Sequence, residues 1–208
     1  MDFRKEILLS RQQKILRIIG PIATSRRFYL AGGTAVALHL GHRRSVDFDW
    51  FIEEKFFDPV RLGRDIKDIG FEMDEVEAGT LHGEVGRVRV SFIEFRYPLL
   101  KPLAHWPEMG CDIASLEDLS SMKLSAVAQR GTKKDFLDIF AIVSSGISLQ
   151  TMLTLYQKKF QVRDIAHVLY GLAYFDDADR ERMPKTLWKM DWNAVKRNLL
   201  SSLKRLKS

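Results

Sequence analysis

The sequence predicts an α+β fold: a core of mixed strands and helices over residues 1–110, then an all-helical C-terminal lobe over 111–208. Three observations carry this. Short apolar or alternating segments typical of strands fall between residues 28 and 95. Beyond residue 112 the apolar residues follow helical spacing. At 208 residues, with 46% hydrophobic and 29% charged content, the chain can bury an ordinary core without disulfide staples.

The elements follow in order. Residues 3–19 place Ile7, Leu8, Ile15, Leu16, Ile18 and Ile19 at helix-compatible positions, and Gly20-Pro21 reads as the stop. Phe28-Tyr29-Leu30 reads as a strand running into Gly32-Gly33, and residues 34–40 as a short helix closed by Gly41. Residues 46–52 alternate as a strand, with Val46, Phe48, Trp50 and Ile52 on one face and Asp47, Asp49 and Phe51 on the other. Residues 59–69 form an amphipathic helix with Pro59 in its first turn and Gly70 at its end. Strands follow at 71–76, 80–84 and 87–95, with turns at Gly79 and Gly86.

In the second half, Ser115 with Asp118 offers a cap for a helix over 116–130. Gly131 breaks the chain, and Thr132 caps a helix over 133–144. Ser148 starts another helix, residues 162–172 form a further one, and Asp191 caps the last. The acidic run 175–179 is the most linker-like stretch.

Composition narrows the function. No run reaches the roughly 20 apolar residues of a membrane span. Residues 1–17 are charged and amphipathic, without the apolar region of a signal peptide. Cys111, the single cysteine, can form no disulfide within the chain. It follows Pro107 and Gly110 in a loop-like stretch with no base beside it, so a structural role outweighs a nucleophilic one. A reducing cytoplasm and no membrane partner are expected. The net charge of +6 is concentrated near the end, where Lys196, Arg197, Lys204, Arg205 and Lys207 face one acid, Asp191. A basic terminal helix suits a polyanion such as RNA, and a solvated helix face explains the charge equally well.

Chemistry concentrates between residues 30 and 49. A strand ends in Gly32-Gly33-Thr34, an Arg43-Arg44-Ser45 loop follows, and the next strand carries Asp47 and Asp49. Residues two apart on a strand share a face, so both carboxylates can converge on one cation. Hard oxygen ligands suit Mg²⁺ or Mn²⁺, which also binds substrate phosphates. The glycine pair lets backbone approach a triphosphate, and the following helix N-terminus supplies N–H donors. Acids in a strand flanked by Val46, Phe48, Trp50 and Phe51 need a metal or a partner to offset their desolvation.

The run from Leu30 through Gly32-Gly33-Thr34-Ala35, followed by Gly41-His42-Arg43-Arg44-Ser45-Val46-Asp47-Phe48-Asp49, resembles the first motif of the AbiEii/AbiGii toxin family. That family lies in the DNA polymerase β-like nucleotidyltransferase superfamily. The resemblance continues through Val90-Ser91-Phe92 with Tyr97-Pro98-Leu99-Leu100. It then runs through Met122-Lys123-Leu124-Ser125-Ala126 and Lys134-Asp135-Phe136-Leu137-Asp138, and more weakly through Tyr174-Phe175-Asp176-Asp177. It implies a polymerase β-like core that transfers a nucleoside monophosphate from an NTP to an acceptor hydroxyl and releases pyrophosphate. Members of the family are toxins paired with an antitoxin, and some modify tRNA acceptor ends, so tRNA and a cognate antitoxin are the implied partners. By motif position Gly33 and Thr34, with Gly32, would cradle the phosphates, Arg44 and Ser45 would assist, and Asp47 and Asp49 would hold the metal.

Lys123 lies on the apolar stripe of its helix, where a lysine either snorkels to the edge or points into a polar cleft. The resemblance implies contact with the NTP phosphates. Asp135 and Asp138, spaced i,i+3, share a helix face. The helix dipole or a pairing of Asp138 with Lys134 would account for them, whereas the resemblance implies a catalytic role. Many polymerase β-like enzymes carry a third carboxylate on a later strand as general base. Here Ser91 stands at that place, with Glu94 at opposite parity, leaving Asp135, Asp138 or no dedicated base. Histidines 39, 42, 82, 105 and 167 show no zinc-ligand spacing with Cys111. His42 suits a phosphate contact or a cap after Gly41. Two alternatives to an RNA-directed enzyme stand: a degenerate nucleotide- or partner-binding module, and a transferase acting on a protein or small-molecule hydroxyl.

Overall fold

A computed structural model describes residues 2–54 and 58–206. Within them, strands β1 (Tyr29–Ala31), β2 (Phe48–Ile52), β3 (Phe71–Glu77), β4 (Thr80–Val85), β5 (Val88–Glu94), β6 (Ala104–Trp106) and β7 (Cys111–Ile113) form one mixed sheet. Its order is β3-β4-β5-β2-β1-β7-β6. The central strand β2 runs antiparallel to β1, with Ala31 opposite Asp49, and parallel to β5, with Asp49 opposite Ser91. The helices are α1 (Ser10–Ser25), α2 (Gly32–Leu40), α3 (Pro59–Asp65), α4 (Leu116–Gln129), α5 (Lys133–Ser144), α6 (Leu149–Phe160), α7 (Ala166–Ala173), α8 (Asp176–Arg180) and α9 (Trp192–Arg205). The α+β class expected from the sequence is the class observed. Helix α4 is the hub of the second half, packing against α2, α5, α6 and α7. No single described helix is long and apolar enough to cross a membrane.

Local chemistry explains several boundaries. Ser115, Ser148 and Asp191 cap α4, α6 and α9, each accepting a backbone N–H three residues on. Gly41 closes α2 in the left-handed region, with φ of 69°.

Other boundaries differ from the expectation. Helix α1 does not stop at Gly20-Pro21 but runs on to Ser25, carrying Ile19 and Ala23 into the core. Pro21 forfeits one helical hydrogen bond, and continued burial offsets that loss. Gly20 is there for contact: a Cβ would lie 2.3 Å from the Met109 carbonyl. That carbonyl belongs to the turn of the β6–β7 hairpin, whose strands are too short to show a period in sequence. The sheet therefore extends past residue 110, and the helical half begins at Leu116. Cys111 lies in β7 rather than in a loop, and burial pushes its thiol up to about 12, far from thiolate reactivity. Val46 precedes β2 and is exposed. Residues 162–165 lie outside α7, and the acidic linker-like run forms the short helix α8.

Candidate active site

The site is built where β1 and β2 end side by side. After Ala31 the chain turns through Gly32, whose φ of +67° favours glycine, and enters α2. A Cβ on Gly32 would lie 2.6 Å from Asp49 Oδ2. One residue on, a Cβ on Gly33 would lie 2.4 Å from Arg43 Nη2. Each glycine thus makes room for a protein side chain at the site. Thr34 is buried; its hydroxyl donates to the Asp47 carbonyl and sits 2.8 Å from Ser45 Oγ. Gln12 of α1 donates to the Ser45 carbonyl at 2.9 Å. These bonds pin the 43–47 loop to α2 and α1.

Asp49 sits in β2 and Asp47 immediately before it. Burial raises the Asp49 carboxyl above the usual range, Lys123 pulls it back, and the charge of Asp47 raises it again. Two carboxylates that repel each other in a partly desolvated place suit a hard divalent cation. Among the described residues no three His, Cys, Asp or Glu side chains gather as a metal cage. A pair of carboxylates with the remaining positions left to water and phosphate oxygens is the donor set that Mg²⁺ accepts. Ser91 of β5 lies directly opposite Asp49, and its hydroxyl favours the ionised form of that carboxyl, while Glu94 pairs with Arg96.

Lys123 does not snorkel. It is buried, with Nζ 2.9 Å from Asp135 Oδ1 and 2.7 Å from Asp138 Oδ2. Burial opposes its charge, but Asp138 and Asp135 more than compensate, so its pKa is raised. Asp138, fully buried, also receives Arg43 Nε at 2.7 Å, Arg43 Nη2 at 2.9 Å and His42 Nε2 at 2.7 Å. Against its own burial, Arg43 and Lys123 hold its carboxyl well below the usual range. Lys134 is exposed and is not the partner of Asp138. Asp135 receives Arg130 at 2.9 and 3.1 Å. Despite burial, Lys123 and Arg130 pull its carboxyl down to about 2. Thr132 stands at the α5 N-cap, yet its hydroxyl goes to Asp135 Oδ2 at 2.7 Å and not to a backbone N–H.

A cleft of about 660 Å³ opens over this network. Asp47 and Asp49 share its wall with Arg43, Lys123, Arg130 and Lys134. Arg44 lines it as well, although its guanidinium leans toward the Glu6 and Ile7 carbonyls at 3.5 and 3.4 Å. Residues 181–188 close one side: Arg44 N donates to the Lys185 carbonyl, and Leu187 N and Trp188 N donate to the His42 carbonyl. Sequence reasoning singles out neither this strap nor the roles of Arg43 and His42. The paired Arg43-Arg44 was the available signal, but nothing local says which of two adjacent arginines turns inward. His42 is buried against Asp138, with burial lowering its pKa, and contacts no open phosphate position.

Comparison with known proteins identifies the family and the fold. The family described as "Nucleotidyl transferase AbiEii toxin, Type IV TA system" matches residues 87–205, more than half of the chain and everything from β5 onward. An uncharacterised protein of Aquifex aeolicus (strain VF5) is 35% identical over 181 residues, covering 84% of this chain and 86% of its own. Among solved structures, an antigenic nucleotidyltransferase-like protein from Paracoccidioides brasiliensis superposes with a TM-score of 0.56 at 16% identity, over 98% of this chain and 94% of that one. JHP933 from Helicobacter pylori gives 0.55 at 15% identity, over 99% and 93%. At such identities the two structures speak for the fold, which extends over the Gly32–Asp49 region that the family match leaves out.

Proposed function

This chain belongs to the AbiEii nucleotidyltransferase toxin family, and from that premise we propose that it moves a nucleoside monophosphate from a Mg²⁺-bound NTP to a hydroxyl of RNA, in the manner of a cytoplasmic toxin held in check by an antitoxin. The observation that carries this reading is the pairing of Asp47 and Asp49 within a cleft whose other walls carry Arg43, Lys123 and Arg130. Carboxylates alone would repel a triphosphate. Cations alone would bind one without organising a metal. Together they provide for both.

Asp47 and Asp49 would hold the ion, which when bound neutralises the phosphates and activates the α-phosphorus. Arg130 and Lys134 face the cleft as phosphate contacts, and Gly33 at the start of α2 brings backbone N–H groups to the same place. Thr34 and Ser45 act by fixing the loop that carries Asp47. Asp135 and Asp138 are positioning residues: they hold Lys123 and Arg43 charged and in place. RNA is favoured as acceptor by the excess of base in α9. Arg197 and Lys204 are exposed there, whereas Lys196 is bound to Asp179 at 2.8 Å and Lys207 lies outside the described residues. The division into a nucleotidyltransferase core and a helical lobe is proposed with its boundary moved to 113/116, beyond β7.

The test is incubation with total tRNA and each α-labelled NTP in Mg²⁺, beside Asp49→Ala and Asp47→Ala. Label should enter RNA with wild type and with neither variant, while both variants stay folded because carboxylate repulsion has been relieved. Wild-type labelling by Asp49→Ala would refute the metal assignment. Labelling of protein in place of RNA would redirect the acceptor.

A further inference from the structure

The reading above leaves the acceptor hydroxyl without a base. Asp135 and Asp138 are saturated by Lys123, Arg130 and Arg43 and held ionised by them, so neither has the proton affinity that a general base needs near neutral pH. The place where related folds carry a third carboxylate holds Ser91. Across the sheet, Asp49 of β2 lies opposite Ser91 of β5, and Ser91 lies opposite His82 of β4. Residues directly paired across strands project to the same face, so the three side chains form a row, and the contacts bear this out. His82 Nδ1 is 3.0 Å from Ser91 Oγ, and Ser91 faces Asp49 in the same cleft.

A hydroxyl both donates and accepts, so Ser91 Oγ can take the proton of His82 Nδ1 while its own O–H is free to turn toward Asp49. In that arrangement His82 Nδ1 carries the proton. The Nε2 lone pair of His82 is left free, with no hydrogen bond to any described residue. His82 and Ser91 both line a second cleft of about 330 Å³, which shares Asp49, Lys123 and Arg130 with the first. Its floor continues the same sheet face through Phe51 and Ile93, and α4 presents Met122 and Gln129 along its wall. An apolar, aromatic floor beside polar groups suits a flat ring bearing a hydroxylated sugar.

We propose that His82 is the general base of the transfer, oriented by Ser91, and that this second cleft receives the acceptor nucleoside while the cationic cleft holds the triphosphate. This rests on the nucleotidyltransferase reading. In the step itself, the acceptor O–H gives its proton to His82 Nε2 as its oxygen bonds to the α-phosphorus. The bond from that phosphorus to the α–β bridging oxygen breaks, and pyrophosphate leaves with the electron pair.

The experiment compares wild type, His82→Ala, His82→Gln and Ser91→Ala in steady-state transfer of label from each α-labelled NTP, with total tRNA and separately glycerol as acceptors. Both His82 variants should lose at least about a hundredfold in kcat, with KM for NTP retained and thermal midpoints unchanged. Imidazole should restore turnover to His82→Ala. Ser91→Ala, a positioning change, should lower kcat by less and be insensitive to imidazole. The glutamine variant can still donate to Ser91, so a purely structural role would leave it near wild type; that result, or an active His82→Ala, overturns the proposal alone. Wild-type inactivity on both acceptors overturns the nucleotidyltransferase reading and this inference together.

Discussion

Asp138 binds Arg43 in a two-point bridge, Nε to Oδ1 at 2.7 Å and Nη2 to Oδ2 at 2.9 Å, with both side chains withdrawn from solvent. The same carboxylate takes Lys123 and His42, so one buried anion ties together the 42–43 loop, α4 and α5. Removing it leaves the buried Arg43 without a carboxylate partner and Lys123 with Asp135 alone. Asp138→Ala should lower unfolding free energy by about 3–5 kcal/mol, measured by urea denaturation, with activity lost as a consequence. A midpoint within error of wild type would mean that the network relaxes freely.

Lys123→Met isolates the other side of the network. Methionine matches the length of the lysine stem, but Asp135 and Asp138 each lose a partner in a dry place. Both keep others, Arg130 and Thr132 for one and Arg43 and His42 for the other. The cost should fall near the lower end of the buried-pair range, about 3 kcal/mol. NTP affinity should drop at least about tenfold through loss of charge at the cleft wall. Calorimetric titration with MgATP and the other NTPs reads the second effect, and an undiminished affinity would confine Lys123 to structure.

Gly32→Ala strains the turn twice. A φ of +67° costs an alanine about 1–2 kcal/mol. Its Cβ would also press on Asp49 Oδ2 at 2.6 Å. Turnover should fall more steeply than stability, and raising Mg²⁺ should recover part of it, because the displaced group is a proposed metal ligand. Equal losses in stability and turnover, insensitive to Mg²⁺, would count against that placement of Asp49.

Acid stability should report Asp135. Its folded carboxyl lies at about 2, below the unfolded value of about 3.9. The group binds a proton more readily when unfolded, so its stabilisation is complete above the unfolded value and drains away as pH falls toward 2. Asp138 acts in the same direction. Wild type should therefore lose stability steeply below about pH 4, and Asp135→Asn, less stable at pH 7, should show a shallower acid limb. Parallel curves would remove Asp135 as a contributor.

Much of the architecture was legible in the residues. The caps at Ser115, Ser148 and Asp191, the closure at Gly41 and the helical pattern of residues 133–144 depend on atoms a few positions apart, and all five stand. The elements that sequence reasoning loses are those that lack a period or obey a distant neighbour. β6 and β7 are three residues each. Pro21 is tolerated within α1 because burial on either side of it outweighs one missing bond. Thr132 accepts no backbone N–H of α5, and its hydroxyl instead donates to the buried Asp135 carboxylate.

By itself the sequence determined the α+β class, the helix caps and the shared face of Asp135 and Asp138. Each of these follows from short-range geometry, a period of two on a strand or three to four on a helix. The tertiary structure alone decided that Arg43, and not Arg44, turns inward to an acid 95 residues away, and that Lys123 is buried between two carboxylates. It alone placed His82 in line with Ser91 and Asp49. Those choices depend on which elements the sheet order and the α4 hub bring together. In a desolvated interior a charge is tolerated only where that long-range packing supplies its counter-charge.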